Sequence, residues 1–389
     1  MGSLIPVCLK RSVALMVASV TFVTASYILR NEMIKLMDVT KLHTHAGNHM
    51  TDSEADFNKN VAHYVIIACK DENKVKHHLR ENWDHQMRQI KVLLKSAALL
   101  TSTVIQFSIV TNSQETYKEI TAIADSWPSE YRRRLVFGVR REVYYPPALS
   151  RIQDMFCWCC TERLFLPDVL PDVDSVIFVD TDTIFMQPPE DLFQNFGFFD
   201  DRQVAGVTPC LYMYDEPWRK RIPSFGFSGL NAGVLLLNLT RLRSFPGGWV
   251  PTIKRTIAKY KDAIELADQD ILNIIFSGRK APLAYEVGCE WNYRQKVCSL
   301  DRNRCPNAAA KGVALLHGCD TTFVKNNEPK IRAVFEAWEK YDLRSSPGEL
   351  LSLMEEGLRK VNRSAGGCAT LSNIDDILMK GLRRHLVVA

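Results

Sequence analysis

The chain has 389 residues, 46% hydrophobic and 24% charged, ordinary globular usage that allows a sizeable core and fits one large α/β domain with appendages as well as two average domains. Its 49 lysines and arginines against 44 acids leave a net charge of only +5, with basic residues scattered among acidic ones. That distribution argues against nucleic acid as a partner.

Residues 13–29 carry no charge, with Lys10 and Arg11 before them and Arg30 after. The run is at the short end of what spans a bilayer as a helix. It fits a cleaved signal peptide, with Val23-Thr24-Ala25 as the small-residue site, or a retained signal anchor. The lack of a sharp polar break before Arg30 favours the anchor, while basic residues on both flanks leave the orientation rule neutral. The expected organisation is a cytoplasmic tail (1–12), a signal-anchor transmembrane helix (13–29), a polar, aperiodic flexible stem (30–60), a folded body (61–345) and a helical C-terminal extension (346–389). Either reading sends the chain into the secretory pathway. Ten of the eleven cysteines follow the apolar run, an even number that suits disulfides in an oxidising lumen. Zinc explains the clusters Cys157/Cys159/Cys160 and Cys289/Cys298/Cys305 less well, because neither shows paired C-x2-C spacing with a second half or a histidine pair. Two sequons, at Asn238 and Asn362, offer glycosylation sites, with Asn238 following a buried-looking strand.

In the body, a short apolar run at 64–69 reads as a buried strand. Met87, Ile90, Leu94 and Ala97 then recur at three- and four-residue steps and predict an amphipathic helix. A strand at 104–110, a helix near 113–124, a strand at 135–139, a helix around 157–166 and a strand at 176–179 follow. Later strands are expected at 204–207, 233–237 and 313–316, with a helix at 269–276 and others after 349. Strands alternating with helical patterns predict an α/β fold with a mainly parallel central sheet and helices on both faces.

Asp180-Thr181-Asp182 directly follows the apolar strand at 176–179. Alternation along an extended chain puts both carboxylates on one side, where they face one bound cation, and ligands of open α/β sheets collect at such strand ends. The triplet alone is weak, since Asp172/Asp174 and Asp268/Asp270 repeat it. Three other segments place polar or glycine residues where an apolar run begins or ends. Gly229-Leu230-Asn231-Ala232-Gly233 is either a tight turn before a strand or a close backbone approach to a ligand, with Asn231 offering a donor and an acceptor to a sugar hydroxyl. Asp268 precedes an apolar helix, and taken alone it is better accounted for as an N-cap than as a site residue. His317 stands at a strand end, structural by default yet also a residue type that ligates metal. Two carboxylates, one imidazole and two diphosphate oxygens make a good octahedral Mn2+ site.

Together, R-L-F-L-P (163–167), V-D-T-D (179–182), L-N-A-G-V (230–234), D-Q-D-I-L-N (268–273), W-N-Y-R (291–294) and L-H-G (316–318) resemble glycosyltransferase family 8. C-E-W-N-Y-R with Cys298 and Cys305, and R-A-V-F-E-A after the His-Gly pair, are most similar to the glucoside xylosyltransferases within it. The resemblance covers residues 61–345. It implies a GT-A nucleotide-sugar transferase fold and a single-pass type II membrane enzyme of the Golgi or endoplasmic reticulum lumen. The implied activity is Mn2+-dependent, configuration-retaining transfer of xylose from UDP-xylose in α-1,3 linkage to O-linked glucose on EGF-like repeats, as in Notch. The alternatives are another family member using UDP-glucose or UDP-galactose, and a non-catalytic glycan-binding module on the same fold.

Position by position, the resemblance implies that Asp180, Asp182 and His317 hold the metal, with Thr181 beside them in the donor site. Ala68 and Cys69 match the region receiving uracil and ribose, Arg163 a basic donor contact, and Asn231 an amide that contacts the sugar. Asp268 and Gln269 match the pair beside the transferred sugar, and Gly318 would approach the diphosphate. Gln269 is a poor nucleophile, which favours same-face attack, with Asp270 an outside candidate for a covalent role. One departure from the family pattern is Lys325, whose spacing from His317 differs from that of the diphosphate-binding lysine of glycogenin-like members.

Overall fold

A computed structural model describes residues 61–70, 83–152, 156, 159–212, 214, 222–278, 282–298 and 303–386. The expected tail, anchor and stem at 1–60 lie outside them. No helix among the described residues is long and apolar enough to cross a membrane.

In chain order the sheet-forming and helical elements begin with β1 (Ala62–Ile67), α1 (Trp83–Leu100), β2 (Ile105–Thr111), α2 (Gln114–Thr121), β3 (Leu135–Phe137) and β4 (Arg141–Glu142). Next come β5 (Ser175–Val179), β6 (Thr183–Phe185), β7 (Ala205–Pro209), β8 (Leu230–Asn238), α3 (Trp249–Tyr260), α4 (Ala267–Ile275) and β9 (Ala284–Glu286). The chain continues through α5 (Pro306–Lys311), β10 (Leu315–His317), α6 (Pro329–Lys340), α7 (Pro347–Lys360) and α8 (Ile374–Leu386). The main sheet runs β3-β2-β1-β5-β8-β7-β9, with β4 on the far end of β2. It is parallel from β3 to β5 and again between β7 and β9, while β8 runs antiparallel to both its neighbours. A separate antiparallel pair, β6 with β10, stands beyond the end of β5.

Alternation along each central strand feeds two apolar layers. Tyr64, Ile66, Ile177, Val179, Val234 and Leu236 face one, and Val65, Val176, Phe178, Leu235 and Leu237 face the other. The first layer is covered by α1 through Ile90, Leu93, Leu94 and Ala97 and by α6 through Ile331, Val334, Phe335 and Trp338. Helices α7 and α8, from the expected extension at 346–389, pack Leu350, Met354, Leu358, Ile377 and Leu382 into this same layer. The second layer is closed by Trp249, Ile253 and Ile257 of α3 and by Ile271 and Leu272 of α4.

Several local expectations change. The helix expected around 157–166 is a 3-10 turn, Glu162–Phe165, running into the short helix Leu166–Val169, with 157–158 outside the described residues. Pro167 removes one backbone donor there, and the buried Leu164, Phe165 and Leu166 fix the turn. Leu230 to Gly233, read as a turn or a ligand approach before a strand, lie inside β8, where the ladder with β7 slips between Val207 and Thr208. Such a bulge re-aims side chains without ending the strand. Disulfides join Cys69 to Cys159, Cys289 to Cys305 and Cys298 to Cys368, so the Cys289 and Cys305 sulfurs are not available as zinc thiolates. Asn238 accepts from the Arg241 amide as a helix N-cap, whereas Asn362 is exposed after α7.

Candidate active site

The site forms where β5 ends. Strand geometry stops at Val179, and Asp180-Thr181-Asp182 is a turn, so the two carboxylates converge through a reversal of the chain instead of through strand alternation. Three backbone contacts hold that turn: the Asp180 amide donates to Gly233 O at 2.9 Å, Thr183 Oγ1 to Asp180 O at 2.8 Å, and the Gly318 amide to Asp182 O at 2.7 Å. The Gly318 amide, expected at a diphosphate, is therefore committed to the turn. In the β6–β10 pair His317 lies opposite Thr183, which brings the imidazole to both acids across the intervening sequence.

His317 Nε2 is 3.5 Å from Asp180 Oδ2 and 3.3 Å from Asp182 Oδ1, and His317 is only 3% exposed. One ligand atom from each of the three residues lies within 4.8 Å of the others. Gly233 permits this closeness, since a Cβ there would overlap the imidazole and reach within 2.9 Å of Asp180 Oδ2. Two carboxylates and an imidazole around a space kept clear by glycine fit a divalent cation of the Mn2+ type. Burial alone would raise the Asp182 carboxyl, but the His317 imidazole, aided by Arg163, holds it below the usual range.

Arg163, on the 3-10 turn, crosses from this trio to α4. Its Nη2 is 3.1 Å from Asp180 Oδ1, its Nη1 donates to Ala232 O at 2.8 Å, and its guanidinium lies 4.3 Å over the Phe178 ring. Its Nε faces Asp268 Oδ2 at 3.1 Å, an ion pair out of hydrogen-bond alignment. Burial opposes the Arg163 charge, yet Asp180 and Asp268 hold it above its ordinary value. Burial likewise lifts the Asp268 carboxyl to about 6, against the pull of Arg163. Ala267, just before it, takes a left-handed backbone at φ +47°, a strained conformation for a residue with a Cβ.

Amides fill the rest of the site. Gln269 Oε1 accepts from Asn231 Nδ2 at 2.9 Å and from the Ala232 amide at 3.2 Å, and its Nε2 donates to Tyr214 Oη at 3.2 Å. Tyr214 in turn donates to Asp270 Oδ1 at 2.5 Å, while Asp270 Oδ2 accepts the Glu265 and Leu266 amides at 2.8 Å each. Asp270 Oδ2 thus holds the entry to α4, while Oδ1 holds Tyr214. Asn292 is the residue that sequence reasoning passed over: it lies inside the quoted W-N-Y-R segment, a polar side chain between two aromatic ones. Its Oδ1 sits 2.9 Å from His317 Nδ1, and its Nδ2 donates to Thr208 Oγ1 at 2.8 Å and Asn231 Oδ1 at 2.9 Å.

Past the end of β1, Ala68 is buried with its amide on Val110 O at 3.0 Å, and Cys69 is covalently tied to Cys159. Thr181 Oγ1 accepts from Gln86 Nε2 at 3.4 Å. Lys325 is exposed in the segment leading to α6.

The sequence pattern of glycosyl transferase family 8 matches residues 65–322, which include every one of these residues except Lys325. The chain belongs to that family. Among its relatives, mouse (Mus musculus) glucoside xylosyltransferase 2 is 30% identical over 345 residues, 84% of this chain and 73% of the mouse protein. Zebrafish (Danio rerio) glucoside xylosyltransferase 1 is 33% identical over 297 residues, 72% of this chain and 71% of the relative. The solved structure of galactosyltransferase LgtC, in complex with donor and acceptor sugar analogs, superposes with a TM-score of 0.50 at 18% identity, covering 78% of this chain and 98% of LgtC. The family 8 chain therefore carries the GT-A-type fold expected from its sequence and is a glycosyltransferase, with the trio at the end of β5 as its candidate metal centre.

Proposed function

We propose that this family 8 enzyme transfers xylose from UDP-xylose, with retention of configuration, in α-1,3 linkage to O-linked glucose on EGF-like repeats. The observation that carries the reading is the convergence of Asp180, Asp182 and His317 beside a partly buried Arg163, and the names of the glucoside xylosyltransferase relatives support the choice of sugar. Mn2+ held by the trio would act as a Lewis acid on the diphosphate oxygens.

The remaining chemistry falls to the chain's own groups. Arg163 is a partly buried cation fixed by two carboxylates and a carbonyl, so its charge stabilises the departing UDP without reorganising. Retention needs either a protein nucleophile or attack from the face the phosphate leaves. Gln269 is a neutral amide, and Asp270 has both oxygens engaged by Tyr214 and two backbone amides, which makes it a positioning residue. Same-face attack is the consistent alternative: the sugar C1–phosphate oxygen bond breaks, the acceptor hydroxyl oxygen bonds to C1, and its proton passes to the phosphate. The Cys69–Cys159, Cys289–Cys305 and Cys298–Cys368 disulfides support residence in an oxidising secretory lumen, with residues 13–29 as the membrane anchor.

The test is mass spectrometry of an O-glucosylated EGF-like repeat incubated with the enzyme, Mn2+ and, separately, UDP-xylose, UDP-glucose and UDP-galactose. A gain of one pentose, abolished by chelation, is expected. A hexose gain instead reassigns the donor. Tight glycan binding without transfer or UDP-sugar hydrolysis marks a binding module.

A further inference from the structure

The polar side chains of the site form a single directed chain. His317 Nδ1 faces Asn292 Oδ1, Asn292 Nδ2 donates to Asn231 Oδ1, Asn231 Nδ2 donates to Gln269 Oε1, Gln269 Nε2 donates to Tyr214 Oη, and Tyr214 donates to Asp270. Both ends are anchored. Asp270 accepts two backbone amides, and Asn292 is 1% exposed, with its backbone carbonyl accepting from the fully buried Arg294, which also donates to Cys210 O at 2.7 Å. Because the Asn292 amide donates to both Asn231 and Thr208, its oxygen must face the imidazole. An acceptor at that position places the proton on Nδ1 and leaves the Nε2 lone pair aimed between Asp180 and Asp182.

We propose that Asn292 is a positioning residue with two separable tasks: its oxygen sets the His317 tautomer for metal binding, and its NH2 group fixes the orientation of the Asn231 and Gln269 amides that face the transferred sugar. The first task needs only an acceptor near Nδ1. The second needs a donor, because an oxygen in that place would repel Asn231 Oδ1, turn the Asn231 amide over and confront Gln269 Oε1 with another oxygen. Metal site and sugar site are thereby set by opposite ends of one side chain. The inference rests on the metal-dependent transferase reading, and the experiment separates the two.

Detergent-solubilised full chain is titrated with Mn2+ alone, followed by electron paramagnetic resonance, and xylosyl transfer is measured at saturating Mn2+. Three proteins are compared: wild type, Asn292→Leu and Asn292→Asp. Leucine removes both tasks, and Mn2+ affinity should weaken about 10- to 100-fold, as for other second-layer partners of a ligating histidine. Aspartate keeps the acceptor, so Mn2+ affinity should stay within about threefold of wild type or tighten. The aspartate variant cannot donate to Asn231, and its kcat should fall about 10- to 100-fold even with the metal site full. A merely structural role would not separate affinity from turnover in this way. Unchanged Mn2+ affinity in Asn292→Leu, or unchanged kcat in Asn292→Asp, overturns the proposal. Should the leucine variant not fold, the aspartate variant decides alone, and loss of Mn2+ affinity in it also overturns the proposal. Wild-type chain that binds Mn2+ yet transfers no sugar from any UDP donor sinks the functional reading alone, and weakened Mn2+ binding by Asn292→Leu would still support the relay. Wild-type chain that binds no Mn2+ sinks both.

Discussion

Two regions of the described body are buried by different means. Beneath the sheet, between α1 and α6, the interior is aliphatic and aromatic: Phe323 stacks on Phe335, Trp338 meets Tyr341 edge-on, and a buried cation, Lys95 on α1, is spent on the carbonyls of Trp338, Glu339 and Tyr341 at the end of α6. At the carboxyl end of β5 the buried groups are acids, amides, an imidazole and a guanidinium, each held by the next. Substitution should therefore cost stability in the first region and activity in the second.

The widest separation is expected from the acids. Asp182→Asn removes a charge from the metal trio while leaving its backbone turn, and transfer should fall on the order of 10^3-fold or more, equivalent to several kcal/mol of transition-state stabilisation. The thermal midpoint of the metal-free protein should fall only slightly, because the turn keeps its backbone hydrogen bonds and only the attraction of His317 and Arg163 to the carboxylate is lost. A Tm drop as large as a core truncation gives would erase the contrast. Trp338→Ala supplies the reverse case. Its fully buried ring should cost about 3–5 kcal/mol in denaturant unfolding, with kcat per folded molecule unaltered.

Legibility in the sequence divides along the same line. Apolar periodicity marked β1, α1, β2, β5 and α4 because burial on one stripe or two faces is written into local spacing. It passed over β4, β6 and β9, two or three residues long and dependent on partners from distant segments. At the site, Asp180, Asp182, His317, Arg163, Asp268, Asn231 and Gln269 do come together, as the ordered motifs implied. Asn292, Tyr214 and the Cys69–Cys159 pairing were not legible, because each takes its meaning from a neighbour that only the fold supplies. Ala68 and the Gly318 amide, placed by resemblance at the donor, are bonded within the protein to Val110 O and Asp182 O.

Glu162, next to Arg163 in sequence, tests the boundary between the regions. It is fully buried, its Oε1 accepts the Tyr144 amide at 2.6 Å, its Oε2 has no hydrogen-bond partner, and burial pushes its carboxyl from 4.5 up to about 8. A carboxyl raised on folding binds its proton more tightly in the native state, so its contribution to stability is fully present below about pH 4.5 and is lost as pH rises to about 8. Glu162→Gln abolishes that titration. The variant should match wild type near pH 5 and exceed it at pH 9 by a few kcal/mol, each pKa unit being worth about 1.4 kcal/mol. Parallel stability profiles from pH 5 to 9 would show that Glu162 is not held protonated.

Asp270→Asn is expected to have the smallest effect and to discriminate most finely, because Asp270 lies where the polar chain meets the apolar layer under α4. Asparagine keeps one oxygen for the Glu265 and Leu266 amides, and its NH2 can donate to Tyr214, whose hydroxyl then reverses. The exchange turns three charge-assisted hydrogen bonds into neutral ones, a difference of up to about 1 kcal/mol each, so stability should fall by about 1–3 kcal/mol. Reversal of the Tyr214 hydroxyl removes its lone pair from Gln269 Nε2, and kcat should drop about tenfold through disorder at Gln269. A nucleophile behaves otherwise: removing it would abolish turnover by several orders of magnitude while leaving the Tm unmoved. A modest, paired loss of both quantities therefore identifies Asp270 as the anchor of the amide chain, and near-total loss of turnover at full stability would return it to the reacting centre.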